Sequence, residues 1–121
     1  MMEDFMLVKK MENVNLREVN MQGAEKVKMR LLLSEEDGAP NFRMRLFEVD
    51  KNGSSPYHFH DYEHEVLVIE GKGELIGKDK KYDLNPGDVV LVSPNEEHQF
   101  RNTGSEKFKF ICLIPNVETI K

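Results

Sequence analysis

The sequence predicts an all-β fold, built as a β-sandwich or barrel. Two patterns support this fold class. Short runs of alternating or β-branched apolar residues recur along the chain, and turn residues such as Asn52-Gly53 and Asn85-Pro86-Gly87-Asp88 separate them at close, regular spacing. We find no segment with the apolar periodicity of an amphipathic helix. The 121 residues are enough for one domain with a modest core.

The predicted strands follow one another from residue 26 to residue 115. The segment 64–71 is β-branched and mostly apolar, as expected of a strand buried on both faces. The segment 41–50 alternates at first and loses its register near Phe47, and the segment 73–84 predicts a hairpin. The full set of predicted strand segments is 26–34, 41–50, 64–71, 73–84 (two strands), 88–93, 98–103 and 106–115.

These segments predict a single domain over residues 1–121. Residues 1–22 form an N-terminal arm or an extra strand, and residues 40–115 form the core. The net charge is −5, and acidic and basic residues alternate without a basic block, which argues against a nucleic-acid surface. The one cysteine, Cys112, excludes an intrachain disulfide and a cysteine zinc knuckle.

Nothing in the sequence indicates a membrane or a secretory route. No apolar run is long enough to span a bilayer. The N-terminus has acidic residues at positions 3 and 4 and lacks the basic and apolar regions of a signal peptide. We therefore expect a cytoplasmic protein that binds neither membrane nor nucleic acid.

Three of the four histidines, His58, His60 and His64, lie within seven residues. Residues i and i+2 of a strand point to the same face, so the first two imidazoles should lie side by side with Phe59 on the other face. Both could then reach one ion at about 2.0–2.2 Å. A short turn would bring His64 back across from them. This spacing predicts a metal site.

Two spaced motifs around these histidines resemble those of the cupin family, over about residues 40–115. The first motif contains Gly53, His58, His60 and Gly71, and the second contains Gly87, His98 and Asn102. Two details differ from the family pattern. Four residues rather than five separate Gly53 from His58, and Ser93 and Asn95 replace a proline and a glycine.

The resemblance implies a double-stranded β-helix, the cupin jelly-roll barrel. It also implies a divalent transition metal (iron, manganese, copper, nickel or zinc), with His98 as a ligand on a neighbouring strand. A small-molecule substrate or ligand is implied as well. In small cupins an N-terminal segment often pairs with a second subunit, so the resemblance further implies a homodimer.

The fourth metal ligand is either His64 or Glu65, because both fit the loose spacing after His60. In cupins this ligand is usually a glutamate, with six residues between it and the motif's last glycine, and six residues likewise separate His64 from Gly71. Neighbouring strand residues point to opposite faces, so at most one of the two can bind. The spacing favours His64, with Glu65 as the alternative. The predicted ligands are therefore His58, His60, His64 and His98.

Three further residues are candidates for the wall of a cavity beside the metal: Phe100, Phe110 and Cys112. Their alternation also fits an ordinary barrel core. Arg45 could bind a substrate carboxylate, although its strand pattern favours the solvated exterior.

Four neutral imidazoles would leave the full charge on the metal and favour anionic or bidentate oxygen ligands. No carboxylate base is evident on the metal-facing side, which disfavours proton-transfer chemistry. The leading hypothesis is therefore a dioxygenase-like, metal-dependent oxidoreductase acting on a small organic substrate. A cupin isomerase is the second hypothesis. The others are a non-catalytic module that binds a small ligand or metal, and a structural β protein with incidental histidines.

Overall fold

The computed structural model describes residues 5–116, and within this range the chain forms nine strands in one sheet. All strand pairs are antiparallel, and two short 3₁₀ turns, Met11–Asn13 and Glu35–Asp37, complete the regular structure of this range. The strands are β1 (Leu16–Glu18), β2 (Glu25–Leu33), β3 (Phe42–Ser54), β4 (His64–Glu70), β5 (Gly73–Ile76), β6 (Lys81–Leu84), β7 (Val89–Val92), β8 (Gln99–Asn102) and β9 (Phe108–Pro115). The prediction of an all-β fold is confirmed.

The order of the strands is β6-β5-β8-β3-β9-β4-β7, with β2 and then β1 added beside β3. The sheet is strongly curled. His64 on β4 and His98 beside β8 belong to strands separated by β3 and β9, yet their ring centroids are 5.0 Å apart. The curl therefore brings side chains from distant strands together in one interior.

The interior is filled by rows of side chains that the strand register places side by side. The row through Cys112 contains Arg45 and Val66, and the next row, through Phe110, contains Phe47 and Val68. A further row pairs Phe108 with Val49, and both of these residues are fully buried. Large apolar side chains thus fill one half of the interior, and polar groups begin at the row of Cys112.

The N-terminal segment lies against the outer face of the sheet. Arg30 on β2 donates hydrogen bonds to the backbone carbonyls of Glu12 and Val14 and forms an ion pair with Glu48 on β3. Leu46, which pairs with Arg30 in the register, is 1% exposed although it lies on the outer face. The middle of strand β3 is therefore buried on both of its faces.

Gly71 is the glycine on which the spacing argument depended. It has a φ of +82° and directly follows β4, and a Cβ atom there would lie 2.1 Å from the carbonyl oxygen of Lys107. A side chain at this position would collide with the backbone just before β9. The close approach of two backbones explains why the chain needs a glycine at this point.

The predicted strands lie close to the observed ones, and the largest difference is that β3 extends to Ser54. The helical segments of the described range are turns of three residues, and none has the length and apolar character that a membrane-spanning helix requires.

Candidate metal centre

Local backbone pairing brings the two histidine motifs together. His58 and His98 form an isolated β-bridge in which each backbone N–H donates to the other's carbonyl, at 3.1 and 2.9 Å. The carbonyl of His60, two residues further on, accepts a hydrogen bond from the N–H of Asn95. The loop that carries His58 and His60 is thus fixed to the segment before β8, whereas His64 begins β4.

The four imidazoles form a compact cluster. Ring centroids are 4.4 Å apart for His58 and His60, 4.9 Å for His58 and His98, and 4.9 Å for His60 and His64. One ring nitrogen from each of His58, His60 and His98 lies within 4.8 Å of the others. This is close to the separation, up to about 4 Å, of two nitrogens bound to one ion.

His64 lies beside this trio and has an unsatisfied nitrogen. Its Nδ1 atom is 3.3 Å from the Sγ atom of Cys112, whereas its Nε2 atom is buried and has no hydrogen-bond partner. A buried polar atom without a partner is costly, so such an atom calls for an explanation. A cation between the four rings would provide one, and the residues therefore fit a metal.

His98 is oriented by a second contact. Its Nδ1 atom lies 2.9 Å from the carbonyl oxygen of Glu96. A carbonyl can only accept, so Nδ1 carries the proton and Nε2 presents its lone pair. Hydrogen bonds of this kind commonly fix the tautomer of a metal-binding histidine.

Burial keeps all four histidines neutral. The pKa of His64 falls to about 3 and that of His58 to about 4, mainly through burial, and the neighbouring histidines and Arg45 contribute to both shifts. Burial likewise lowers the pKa values of His60 and His98. Metal binding requires the neutral imidazole, so these ligands need lose no proton near neutral pH.

Glu65 lies on the other side of the sheet. It is exposed and pairs with Leu91 and Leu113 on the outer face, whereas His64 is buried in the interior. The side chain of Glu63 lies beside that of Glu65, and a hydrogen bond between the two carboxyl groups raises the pKa of Glu63. Across the described range, the cluster that could hold a metal contains imidazoles and no carboxylate.

The interpretation that favoured an exterior Arg45 is wrong. Arg45 pairs with Cys112 and lies in the interior, where its Nη2 atom donates to the Sγ atom of Cys112 at 3.2 Å. Its guanidinium carbon is 4.8 Å from the centroid of the Phe47 ring. The strand pattern misled because Leu46, on the outer face of β3, is buried as fully as a core residue.

Tyr62 belongs to the predicted short turn between His60 and His64, and it is a neighbour of the histidine cluster that the sequence did not single out. Its ring stacks on His60 at a centroid distance of 4.9 Å and an interplanar angle of 8°. Burial raises the pKa of its phenol, so the hydroxyl stays protonated. Its place in a bend between two histidines was the available signal, but no periodicity could assign its direction.

The three predicted wall residues have different surroundings. Cys112 contacts both His64 and Arg45, and burial raises the pKa of its thiol. Phe100 lies between the two halves of the interior, with ring centroids 6.1 Å from His98 and 4.7 Å from Phe110. Phe110 instead stacks on Phe47 and packs with Phe108 in the apolar half.

The chain matches the model of one protein family, described as "Cupin domain", over residues 45–114. Among solved structures it resembles the polyketide cyclase RemF from Streptomyces resistomycificus. That structure is 32% identical, has a TM-score of 0.87, and the match covers 92% of this chain and 80% of that one. A predicted oxalate decarboxylase from Thermotoga maritima is 25% identical with a TM-score of 0.80, covering 91% and 99% of the two chains.

Curated relatives include a glucose-6-phosphate isomerase from Thermococcus onnurineus. The two sequences are 32% identical over an alignment of 93 positions, and the match covers 67% of this chain and 49% of that protein. The chain spans less than half the length of the first curated relatives that it matches. The solved neighbours are cupin barrels, which confirms the predicted jelly-roll barrel.

Proposed function

Because the chain belongs to the cupin family, we propose that it is a metal-dependent enzyme acting on a small, oxygen-bearing organic molecule. Its four histidines would hold one divalent transition metal. The observation that carries this proposal is the buried, partnerless Nε2 atom of His64, which lies beside three neutral imidazoles.

The donor set narrows the choice of metal. Imidazole suits zinc, nickel, copper and iron, whereas manganese generally prefers some carboxylate. When bound, such an ion would supply Lewis acidity, and with four neutral ligands it would keep its full positive charge. The chain's own residues would orient the ligands, through Glu96 and Cys112, and present aromatic surfaces to the substrate.

Redox-neutral chemistry of the cyclase or isomerase kind is the leading reaction class. Its support is the likeness to a polyketide cyclase over 92% of this chain and to a glucose-6-phosphate isomerase over 67% of it. Tyr62 adds a protonated phenol next to His60, so the site does not lack a group able to donate a proton.

A dioxygenase-like oxidoreductase is the second candidate. It is favoured by the cluster composition, since the potential ligands in the described residues are all imidazoles. In both candidates the four histidines would hold a metal that supplies Lewis acidity toward an oxygen atom of a small molecule, but only the second reaction would consume dioxygen. A non-catalytic binding module would bind metal and ligand and turn nothing over.

The test combines metal analysis with turnover measured in air and under argon, using a panel of phenolic and 1,3-dicarbonyl compounds. Equal turnover in both atmospheres would support the redox-neutral class, and turnover in air alone would support the dioxygenase-like class. A protein that contains metal and whose melting temperature rises with a ligand, but that converts none of the compounds, would be a binding module. A purified protein that takes up no divalent metal would contradict the proposal.

A further inference from the structure

We infer that Arg45 anchors the substrate of this site, and that the molecule it binds is a small organic carboxylate. This inference rests on the proposed function for the place of the reaction, and it names the substrate class. It does not depend on which reaction class is correct.

Arg45 reaches the histidine cluster through one shared atom. The Sγ atom of Cys112 accepts a hydrogen bond from Nη2 of Arg45 at 3.2 Å and lies 3.3 Å from Nδ1 of His64. The guanidinium also lies over the ring of Phe47, which stacks on Phe110. A positive charge is thus held against apolar rings, next to the predicted ligands.

The hydrogen-bonding capacity of Arg45 is largely unused. Its Nε atom is buried without a partner, and its contact with Cys112 is to a thiol, which is a weak acceptor. Within residues 5–116 the structure pairs no carboxylate with this guanidinium. Other arginines on the same sheet do have carboxylate partners: Arg30 with Glu48, Arg43 with Glu35, and Arg101 with Glu74.

An unpaired cation in this position opposes the binding of a metal cation. The unpaired guanidinium does not stabilise the folded protein, because a partly buried charge without a counter-charge is unfavourable. A bound anion would reverse this balance, since it would interact favourably with both the arginine and the metal. The planar fork of arginine matches the two oxygens of a carboxylate, which makes a carboxylate the fitting anion.

The neighbouring side chains indicate what the rest of the molecule is like. Phe47 lies under the guanidinium, and Tyr62 stacks on His60. These aromatic surfaces suit an apolar or aromatic body attached to the carboxylate. Benzoate is therefore a suitable probe, and benzamide is its neutral match in shape.

The experiment measures benzoate and benzamide binding by calorimetry to the whole 121-residue chain. Each protein is used as purified and after treatment with a chelator. The variants are Arg45→Gln, Arg45→Lys and, as the control, Arg101→Gln, which removes an arginine paired on the sheet surface. We expect Arg45→Gln to weaken benzoate binding by about 10-fold to 100-fold. Arg45→Lys should be intermediate, and Arg101→Gln and benzamide binding should be unaffected.

Equal benzoate binding by wild type and Arg45→Gln would overturn the inference, as would wild-type protein that binds benzoate no better than benzamide. If Arg45→Gln does not fold, the benzoate-to-benzamide ratio in wild type and Arg45→Lys decides the matter. Metal analysis of the same samples separates the two proposals. Arg45-dependent benzoate binding in a protein that takes up no metal would leave this inference standing and remove the proposed function.

Discussion

The two halves of the barrel interior are built by the same strands but differ in chemistry. In one half, Phe108, Val49 and Val68 are at most 1% exposed and belong to the apolar core cluster. In the other half, the same strands or the segments beside them carry His64, Arg45 and Cys112. Moving along β9 from Phe108 to Cys112 crosses from one half to the other.

This difference separates what stabilises the fold from what the site needs. Apolar burial lowers the free energy of the folded state, at roughly 25 cal/mol per Å² of surface removed from water. The polar half does the opposite, because its imidazoles are desolvated and Arg45 lacks a counter-charge. Substitutions in the first half should therefore change stability, and substitutions in the second half should change binding.

The largest effect on stability is expected in the apolar half. Replacing the fully buried Phe108 with alanine should lower the free energy of unfolding by about 3–5 kcal/mol, through lost transfer energy and a residual cavity. Urea unfolding followed by circular dichroism measures this change. Phe42→Ala is the control, because Phe42 is 67% exposed and its loss should change stability by less than about 0.5 kcal/mol. A small effect of Phe108→Ala would show that the two halves do not differ as proposed.

The second prediction concerns the polar half. His60→Ala should weaken binding of zinc or cobalt by more than about 100-fold, since loss of an outer hydrogen bond to a metal ligand alone costs 10-fold to 100-fold. The stability of the metal-free protein should change little, because the histidine is only half-buried. Phe59→Ala, at the exposed neighbouring position, should keep full metal affinity. Unchanged metal content in His60→Ala would remove the metal site.

The structure brings the four predicted histidines together but reverses the predicted direction of Arg45, and the reason for this difference is physical. The spacing of the histidines and the number of residues between His64 and Gly71 are local properties of the sequence. They indicate which face of β4 points into the interior. The direction of Arg45 depends on Cys112, 67 residues away, and on the burial of Leu46 on the outer face of β3, where Arg30 also holds the N-terminal segment. With apolar residues on both faces, alternation within the strand could not distinguish interior from exterior.

Acid should reveal the desolvated histidines in the metal-free protein. Unfolded histidines titrate near pH 6.5, whereas His64 and His58 in the folded protein have pKa values of about 3 and about 4. Between pH 6.5 and 5 the unfolded state therefore binds more protons, and stability falls as the pH falls. In His64→Gln this loss should be smaller, by on the order of 1 kcal/mol after allowance for solvent screening.

Urea unfolding at several pH values measures this slope for both proteins. The range above pH 5 is chosen because most carboxylates remain ionised there. Above about pH 7.5, where the histidines are neutral in both states, they should contribute no further change. Identical slopes for wild type and His64→Gln would mean that His64 is not held neutral by burial.

The smallest effect is expected for the outward neighbour of His64. Glu65→Gln should change metal affinity by less than about twofold, because Glu65 is exposed on the opposite face of β4. Stability should not fall, since the substitution also removes a like charge beside Glu63. Titrations of Glu65→Gln and His64→Gln with cobalt, side by side, provide the measurement.

The comparison distinguishes the two possible registers of β4, because a shift of one residue in a strand exchanges its two faces completely. If Glu65→Gln lost the metal and His64→Gln retained it, β4 would be shifted by one residue in the metal-bound protein. The site would then contain three histidines and a carboxylate, as in the usual cupin motif.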